Sequence, residues 1–337
     1  MSKRPLHFWI SLVSLLGGLA LFLYLVDRTG PGRILEQIEG FGWFFGLILL
    51  ISGGRHLLRT LAWHYSLEPQ YRRISLWGLF NIRLMGEAIT DLTFAGPFLG
   101  EPMKALAASR HLPATVCLSS IAVENLIFSV SVVIFLLTGI LALLFHAAIP
   151  EEMKLLNLLV TLVLIIPALL SYLAIRRRWK ILTWTANLAG RFQPAWEDRF
   201  QLSARIGKVE ERLYTFVGQN RRLFLFILTL ELATHFCGVV EAWLILRATA
   251  GEASLLAALL IESAYRVVNV VFVLVPLRLG VDETGTALTL KALGPGGGVG
   301  VSLAIIRKIR ILFWMAVGLA LLARHAVRET HTADPMN

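Results

Sequence analysis

The stretch LFNIRLMGEAITDLTFAGPFLGEPMKALAASRHLPATVCLSSIAVEN, residues 79–125, decides how this chain folds. It begins as an apolar membrane span, yet Arg83, Glu87 and Asp91 recur inside it at intervals of four. That spacing places them on one helix face with opposite signs adjacent. A charge carried into hydrocarbon costs about 2.5–3.5 kcal/mol on insertion scales, so embedded charges mark a polar site inside a helix bundle. The span breaks at Gly96-Pro97 and restarts at Gly100-Glu101-Pro102. There Pro suits the first helical turn and Glu the positive N-terminal end. The helix opened by Glu101-Pro102 runs for only about ten residues, about half of what a crossing needs. It reads as a re-entrant half-helix, buried in protein where irregular backbone at membrane depth is tolerated. Lys104 lies within it, and Glu124 and Asn125 lie one third of the way along the span that follows, residues 115–145.

Composition extends this reading to the whole chain. Of 337 residues, 56% are apolar and 16% charged, and the mean hydropathy is +0.70. Such a chain is an all-α polytopic integral membrane protein, with apolar sequence for about eight to ten spans of about 20 residues. The net charge of +10 does not signal nucleic acid, because the Lys and Arg residues cluster beside apolar spans as in cytoplasmic loops. Cys117 and Cys237, the only cysteines, stand in apolar stretches. Neither a disulfide framework nor a thiolate metal cluster is expected.

Taken in order, residues 8–26 form an uncharged retained helix, rather than a removed leader, after Lys3 and Arg4. This puts the N-terminus in the cytoplasm. The second span starts near Phe41 and ends around Arg55, Arg59 and Trp63; the two arginines read first as interfacial side chains that snorkel to the head groups, with a lining role in the site as the lesser alternative. After the broken hairpin, residues 155–175 cross back, and Arg176-Arg177-Arg178-Trp179-Lys180 stops them. Residues 176–222 carry eleven Lys/Arg against four Asp/Glu, with an apolar stripe at Leu202, Ile206, Val209, Leu213 and Phe216. That stripe predicts amphipathic helices lying against the inner leaflet. The span 224–246 holds Glu231, His235 and Glu241. Glu231 and His235 are spaced to hydrogen bond within the bundle, and no third metal ligand stands near them.

A second broken hairpin, 253–314, repeats the plan of the first, 75–125. Glu262, Arg266 and Asn269 sit at mid-depth, Pro276 and Gly280 break the helix, and Asp282-Glu283 opens another short one. The GPGGGVG run at 294–300 lacks the Lys-Ser/Thr of a phosphate-binding loop and reads as a flexible turn. The last span, 299–323, buries Arg307, Lys308 and Arg310 and ends at Arg324 and Arg328 in the cytoplasm, before a disordered tail at 331–337. Pro97-x2-Gly100-Glu101 thus pairs with Pro276-x3-Gly280-x2-Glu283, and loop charge makes the two units enter from opposite sides. Broken helices in inverted repeats meet at the binding site of many transporters. The expected architecture is about eight spanning helices and two re-entrant half-helices in a single domain, 1–330.

These marks, Gly100-Glu101-x2-Lys104 followed by Glu124, then Pro276-x3-Gly280-x2-Glu283 followed by a basic last span from Arg310 to Trp314, resemble a known family. It is the transmembrane, flippase-like domain of lysylphosphatidylglycerol synthases, whose relatives include proteins associated with hopanoid biosynthesis. The resemblance covers about residues 8–323. Asn125 stands where the family usually has a basic residue, and Lys104 where Arg is more usual. The resemblance implies movement or handling of lipids across the bilayer, with no aminoacyl transfer, since the cytoplasmic transfer domain is not in this chain. The resulting expectation is a multi-pass protein of the cell inner membrane that takes a polar-headed phospholipid or an isoprenoid or hopanoid lipid. Its substrate pocket gathers Arg83, Glu87, Asp91, Glu101, Glu124, Glu262, Arg266, Glu283, Arg307 and Arg310. Membrane lipids are the partners; no nucleic acid, cofactor, metal or catalytic constellation is expected. Three alternatives compete: an ion- or proton-coupled transporter of a small solute, an integral-membrane enzyme acting on lipid head groups, and a structural subunit whose charges bolt helices together.

Overall fold

The computed structural model describes residues 30–93, 96–109, 111–144, 177–192, 202–251, 253–271 and 297–332, with the single positions 23, 27, 169 and 173. Every regular element among them is helical. In chain order these are α1 (Pro31–Phe41), α2 (Trp43–Ser66), a 3-10 turn (Pro69–Tyr71), α3 (Leu76–Leu92), α4 (Pro97–Ala107) and α5 (Ala114–Leu144). They continue with α6 (Ile181–Phe192), α7 (Leu202–Gln219), α8 (Arg221–Ala250), α9 (Leu255–Val271) and α10 (Gly297–Thr332). Three of them, α2, α5 and α8, are long and apolar enough to cross a membrane. Their outer faces agree: on α2, Trp43 is 72% exposed and Leu50 71%, with Leu57 below them two turns on. Large apolar groups displayed at seven-residue spacing suit lipid as the solvent and would be a liability in water.

The chain divides into two units, with the divisions falling inside α2 after His56 and inside α8 after Phe236. The first unit takes Met1–His56, Trp77–Ala107 and Cys237–Asn337; the second takes Leu57–Leu76 and Ala108–Phe236. The unit boundary at Ala107 falls inside the first predicted hairpin, so Glu101 and Glu124 belong to different units.

In the first unit, helices are brought together by missing side chains. α3 ends at Leu92, Gly96 takes a left-handed φ of 38°, and α4 starts at once. The hairpin then closes on Gly86 and Gly100. A Cβ at Gly100 would overlap Thr90 Oγ1 and stand 2.6 Å from the Gly86 carbonyl oxygen; one at Gly86 would overlap Lys104 Cγ. α10 approaches α3 through Gly318, against the Leu84 carbonyl, and α2 receives Trp314 of α10 over Gly53. Small residues at such contacts are how helices pack where no hydrophobic drive distinguishes protein from lipid. Around Gly318, Ala88 and Leu92 of α3 close a core with Leu312, Met315 and Leu319 of α10.

In the second unit, α7 packs on α5 and α6. Leu213 of α7 joins Ala62, Val123, Ile127 and Ile227 in one core. Glu210, buried on α7, accepts hydrogen bonds from the Thr183 backbone N–H at 3.1 Å and its hydroxyl at 2.6 Å, pinning α6. The Tyr214 hydroxyl donates to Glu210 and to the Trp179 carbonyl. Burial, then Glu210, pushes the Tyr214 phenol up to about 12, so it stays a donor.

Several expectations need correction. The short helix begins at Pro97 and carries Pro102 inside it, rather than opening at Glu101-Pro102. The left-handed Gly96 lets its own carbonyl accept from the Leu99 and Gly100 N–H groups, which starts the helix a turn early. Residues 297–300 of the GPGGGVG run are helical, the first turn of α10. Leu213 and Phe216 of the α7 stripe pack on protein, and exposed apolar groups stand instead on α6. α10 runs to Thr332, two residues into the predicted tail. The spans at 8–26 and 155–175 lie outside the described residues except Leu23, Leu169 and Leu173, which are helical. The second break, Pro276 to Glu283, lies outside them too, so the repeat comparison does too.

Candidate functional site

The deepest polar cluster of the first unit forms where α8, α9 and α10 meet the N-terminal part of α2. Glu241 of α8 is 0% exposed and Glu262 of α9 is 1% exposed. Glu241 Oε2 accepts from Arg310 Nη1 and from Arg55 Nη1 at 3.2 Å, while its Oε1 lies 4.0 Å from Arg307 Nε. Glu262 Oε2 accepts from Arg307 Nη2 at 2.5 Å, and its Oε1 lies 3.2 Å from Arg266 Nη2, one turn along α9. Arg307 therefore links both carboxylates, and its guanidinium also stacks on the Tyr265 ring at 4.3 Å. Gly238, one turn before Glu241, makes room for this: a Cβ there would run into the Glu262 carboxylate. Four guanidinium groups thus gather around these two carboxylates. Buried Lys308 adds a further cation on the same turn of α10.

A second group abuts the first through consecutive residues of α2, Arg55 and His56. His56 Nδ1 lies 2.9 Å from Glu87 Oε2, and Glu87 Oε1 lies 2.7 Å from Arg83 Nε on α3. Arg83 is fully buried. The His56 ring sits 5.0 Å from Trp314, whose indole N–H donates to Ser52 Oγ at 2.6 Å. On α4, Lys104 Nζ lies 3.1 Å from Glu101 Oε2, an i,i+3 pair.

The second unit holds a separate charged cluster. Arg59 of α2 bonds Glu124 of α5 at 2.8 Å and faces Glu231 of α8 at 3.6 Å, with its guanidinium 4.2 Å above the Phe128 ring. His235 lies 3.0 Å from Ser131 Oγ and stacks between Phe128 and Phe135. Trp63 fixes α2 to α5 by donating to Ser120 Oγ at 2.9 Å. Glu231 and His235, expected from their spacing to hydrogen bond to each other, face Arg59 and Ser131 respectively.

Of the ten predicted site residues, Glu262, Arg266, Arg307 and Arg310 meet in one network, and Arg83 with Glu87 in the adjoining group. Glu101 pairs with Lys104, Asp91 is half-buried one turn beyond Glu87, and Glu124 stands in the other unit. Glu283 lies outside the described residues. Sequence reading missed Glu241, the node of the network, and His56. Glu241 carried the same signal as the others, an acid inside an apolar helix. Arg55 and Arg59, expected to snorkel, instead end on buried carboxylates. A stem of three methylenes reaches a neighbouring helix as easily as the head groups, and a buried acid decides the direction.

Chemically, these groups bind and neutralise charge. Planar guanidinium forks match phosphate and carboxylate oxygens two at a time. Among the described residues no group of three His, Cys, Asp or Glu is placed to hold a metal.

Neither a curated protein nor a solved structure matches the chain. The family model for the lysylphosphatidylglycerol synthase TM region matches residues 9–320, nearly the whole of it. With three helices long and apolar enough to cross a membrane, this membrane protein belongs to the lysylphosphatidylglycerol synthase transmembrane-region family.

Proposed function

We propose that the protein is a flippase-like lipid transporter of the cell inner membrane that handles a lipid with an anionic, phosphate-bearing head group. The family supports a membrane lipid-related role. One observation carries the finer reading: four arginines, Arg55, Arg266, Arg307 and Arg310, gather inside a membrane protein around the buried carboxylates of Glu241 and Glu262. Clustered guanidinium forks match the oxygens of a phosphate two at a time, and the acyl chains meanwhile stay in hydrocarbon. In this reading Glu241 and Glu262 hold the guanidinium forks in position, and Arg83, Glu87 and His56 extend the polar path along α2 and α3. The short α4 acts as one of two re-entrant half-helices in inverted repeats, among about eight spans with both termini cytoplasmic, and rocking of the repeats switches the exposed leaflet.

Reconstitution tests this. Proteoliposomes containing fluorescent phosphatidylglycerol report lipid exchange between leaflets by dithionite quenching. Arg310→Gln and Glu101→Gln are expected to slow exchange at least tenfold with folding intact; wild-type rates in both variants would end the proposal. A second reading, proton-coupled flux, is favoured by the two buried carboxylates, Glu124 and Glu231, that share Arg59. It predicts that an imposed pH gradient drives transport and that Glu231→Gln uncouples it.

A further inference from the structure

We infer that a cavity in the second unit, bounded by the end of α2, the start of α5, α7 and the start of α8, binds the anionic head group of a phospholipid from the leaflet on which α6 lies. The cavity has a volume of about 560 Å³, within the usual range for small-molecule sites. Its chemistry is two-sided. Val116 and Val123 of α5, with Phe216 of α7 and Leu223 of α8, make an apolar wall. Arg72, Lys208 and Arg212 face it with Glu68 and Glu211, so cations outnumber acids.

The cations are arranged for an anion. Arg72 is held in place by donating Nε to the Leu67 carbonyl at 3.0 Å and Nη2 to the Tyr65 carbonyl at 3.0 Å. Those bonds fix its geometry without cancelling its charge. Arg212 lies 3.4 Å from Glu68, a half-exposed pair that a phosphate can enter. Two helices begin at the cavity, α5 near Val116 and α8 near Asn220, and two end there, α2 at Ser66 and α7 at Gln219, so the dipole ends oppose one another and the side-chain cations set the field.

The lipid origin of the anion follows from the neighbouring helix. α6, pinned to α7 through Glu210, exposes Ile181, Trp184 (64%) and Leu188 at helical spacing, and Trp179 just before them. Arg177, Arg178 and Lys180 are exposed in the same segment, with Arg177 over the Trp179 ring. Exposed Trp and aliphatic groups beside arginines and a lysine are the pattern of a helix lying at the boundary between head groups and acyl chains. The cavity is lined by α7, the helix to which α6 is pinned, so a head group held there has the apolar wall for its chains to follow. This site is independent of the transport reading: it binds whether or not lipid crosses.

The test uses the full chain in nanodiscs and a phosphatidylglycerol analogue with a photoreactive head group, with crosslinks mapped by peptide mass spectrometry. Crosslinks are expected within residues 114–123 and 202–223, competed at least tenfold better by phosphatidylglycerol than by phosphatidylcholine. Lys208→Gln with Arg212→Gln is expected to cut labelling at least tenfold, since loss of even one of the two charge-assisted contacts has that effect. Thr215→Trp, an exposed position on the cavity wall, is expected to cut it similarly by filling space while every charge is kept. It carries the test should the double variant misfold. Equal competition by phosphatidylcholine, or undiminished labelling in Thr215→Trp, overturns the inference. Equal competition by free glycerol 3-phosphate overturns it as well and assigns the cavity to a soluble phosphate. Loss of lipid exchange with labelling intact would fail the transport reading alone.

Discussion

Replacing Glu241 by Gln keeps the shape of the side chain and removes the charge on which three arginines converge. Arg55 stands 3.2 Å away, Arg310 is bonded to the same oxygen and Arg307 lies 4.0 Å from the other. At 3.2 Å and an effective dielectric of about 20, one such contact is worth about 5 kcal/mol before desolvation. Much of that offsets the cost of burying the ions, and breaking a buried pair by removing one partner costs about 3–5 kcal/mol. Gln retains a carbonyl for one guanidinium, so the expected loss is near the lower end, about 3 kcal/mol. SDS-driven unfolding followed by circular dichroism measures it. A double-mutant cycle with Arg310→Gln should return a coupling of about 1.5 kcal/mol or more, because the double variant no longer strands Arg310. Glu36→Gln, on an exposed face of α1, serves as a control and should leave unfolding unchanged. A Glu241→Gln protein that unfolds within about 0.5 kcal/mol of the parent, with additive cycle energies, would refute the view that this network is charge-coupled at all.

Three further outcomes follow from the packing and the second cluster. Gly100→Ala should lower stability by about 1–3 kcal/mol, because the new methyl strikes Thr90 and the Gly86 carbonyl, whereas Gly46→Ala, with nothing within 4 Å, should gain up to about 1 kcal/mol; equal melting of the two variants would contradict the close α3–α4 approach. Arg59→Gln should destabilise by about 3–5 kcal/mol by removing the guanidinium that Glu124 and Glu231 share, and adding Glu231→Gln should restore part of it; a double variant no better than the single one would show that Arg59 does not serve both acids. Trp314→Phe and Ser52→Ala should each cost about 1 kcal/mol, and together no more than either alone, since both remove the same 2.6 Å hydrogen bond; fully additive losses would disprove it.

Composition and apolar periodicity alone determined that this chain is an all-helical membrane protein, because lipid as solvent admits little else that an apolar chain can do with its backbone. The break near Gly96-Pro97 and the short helix after it were equally legible, since φ freedom at Gly and the fixed φ of Pro act within one turn. The i,i+4 stripe of Arg83 and Glu87 was legible for the same reason: both partners lie on one helix. The partners of Glu241, Arg55 and Arg59 were not, because these bonds join residues 65 to 186 positions apart and depend on which helix faces which. An arginine near a helix end has the same sequence signature whether it snorkels or pairs inward, and only the tertiary structure, by bringing a buried carboxylate within reach, decided between them.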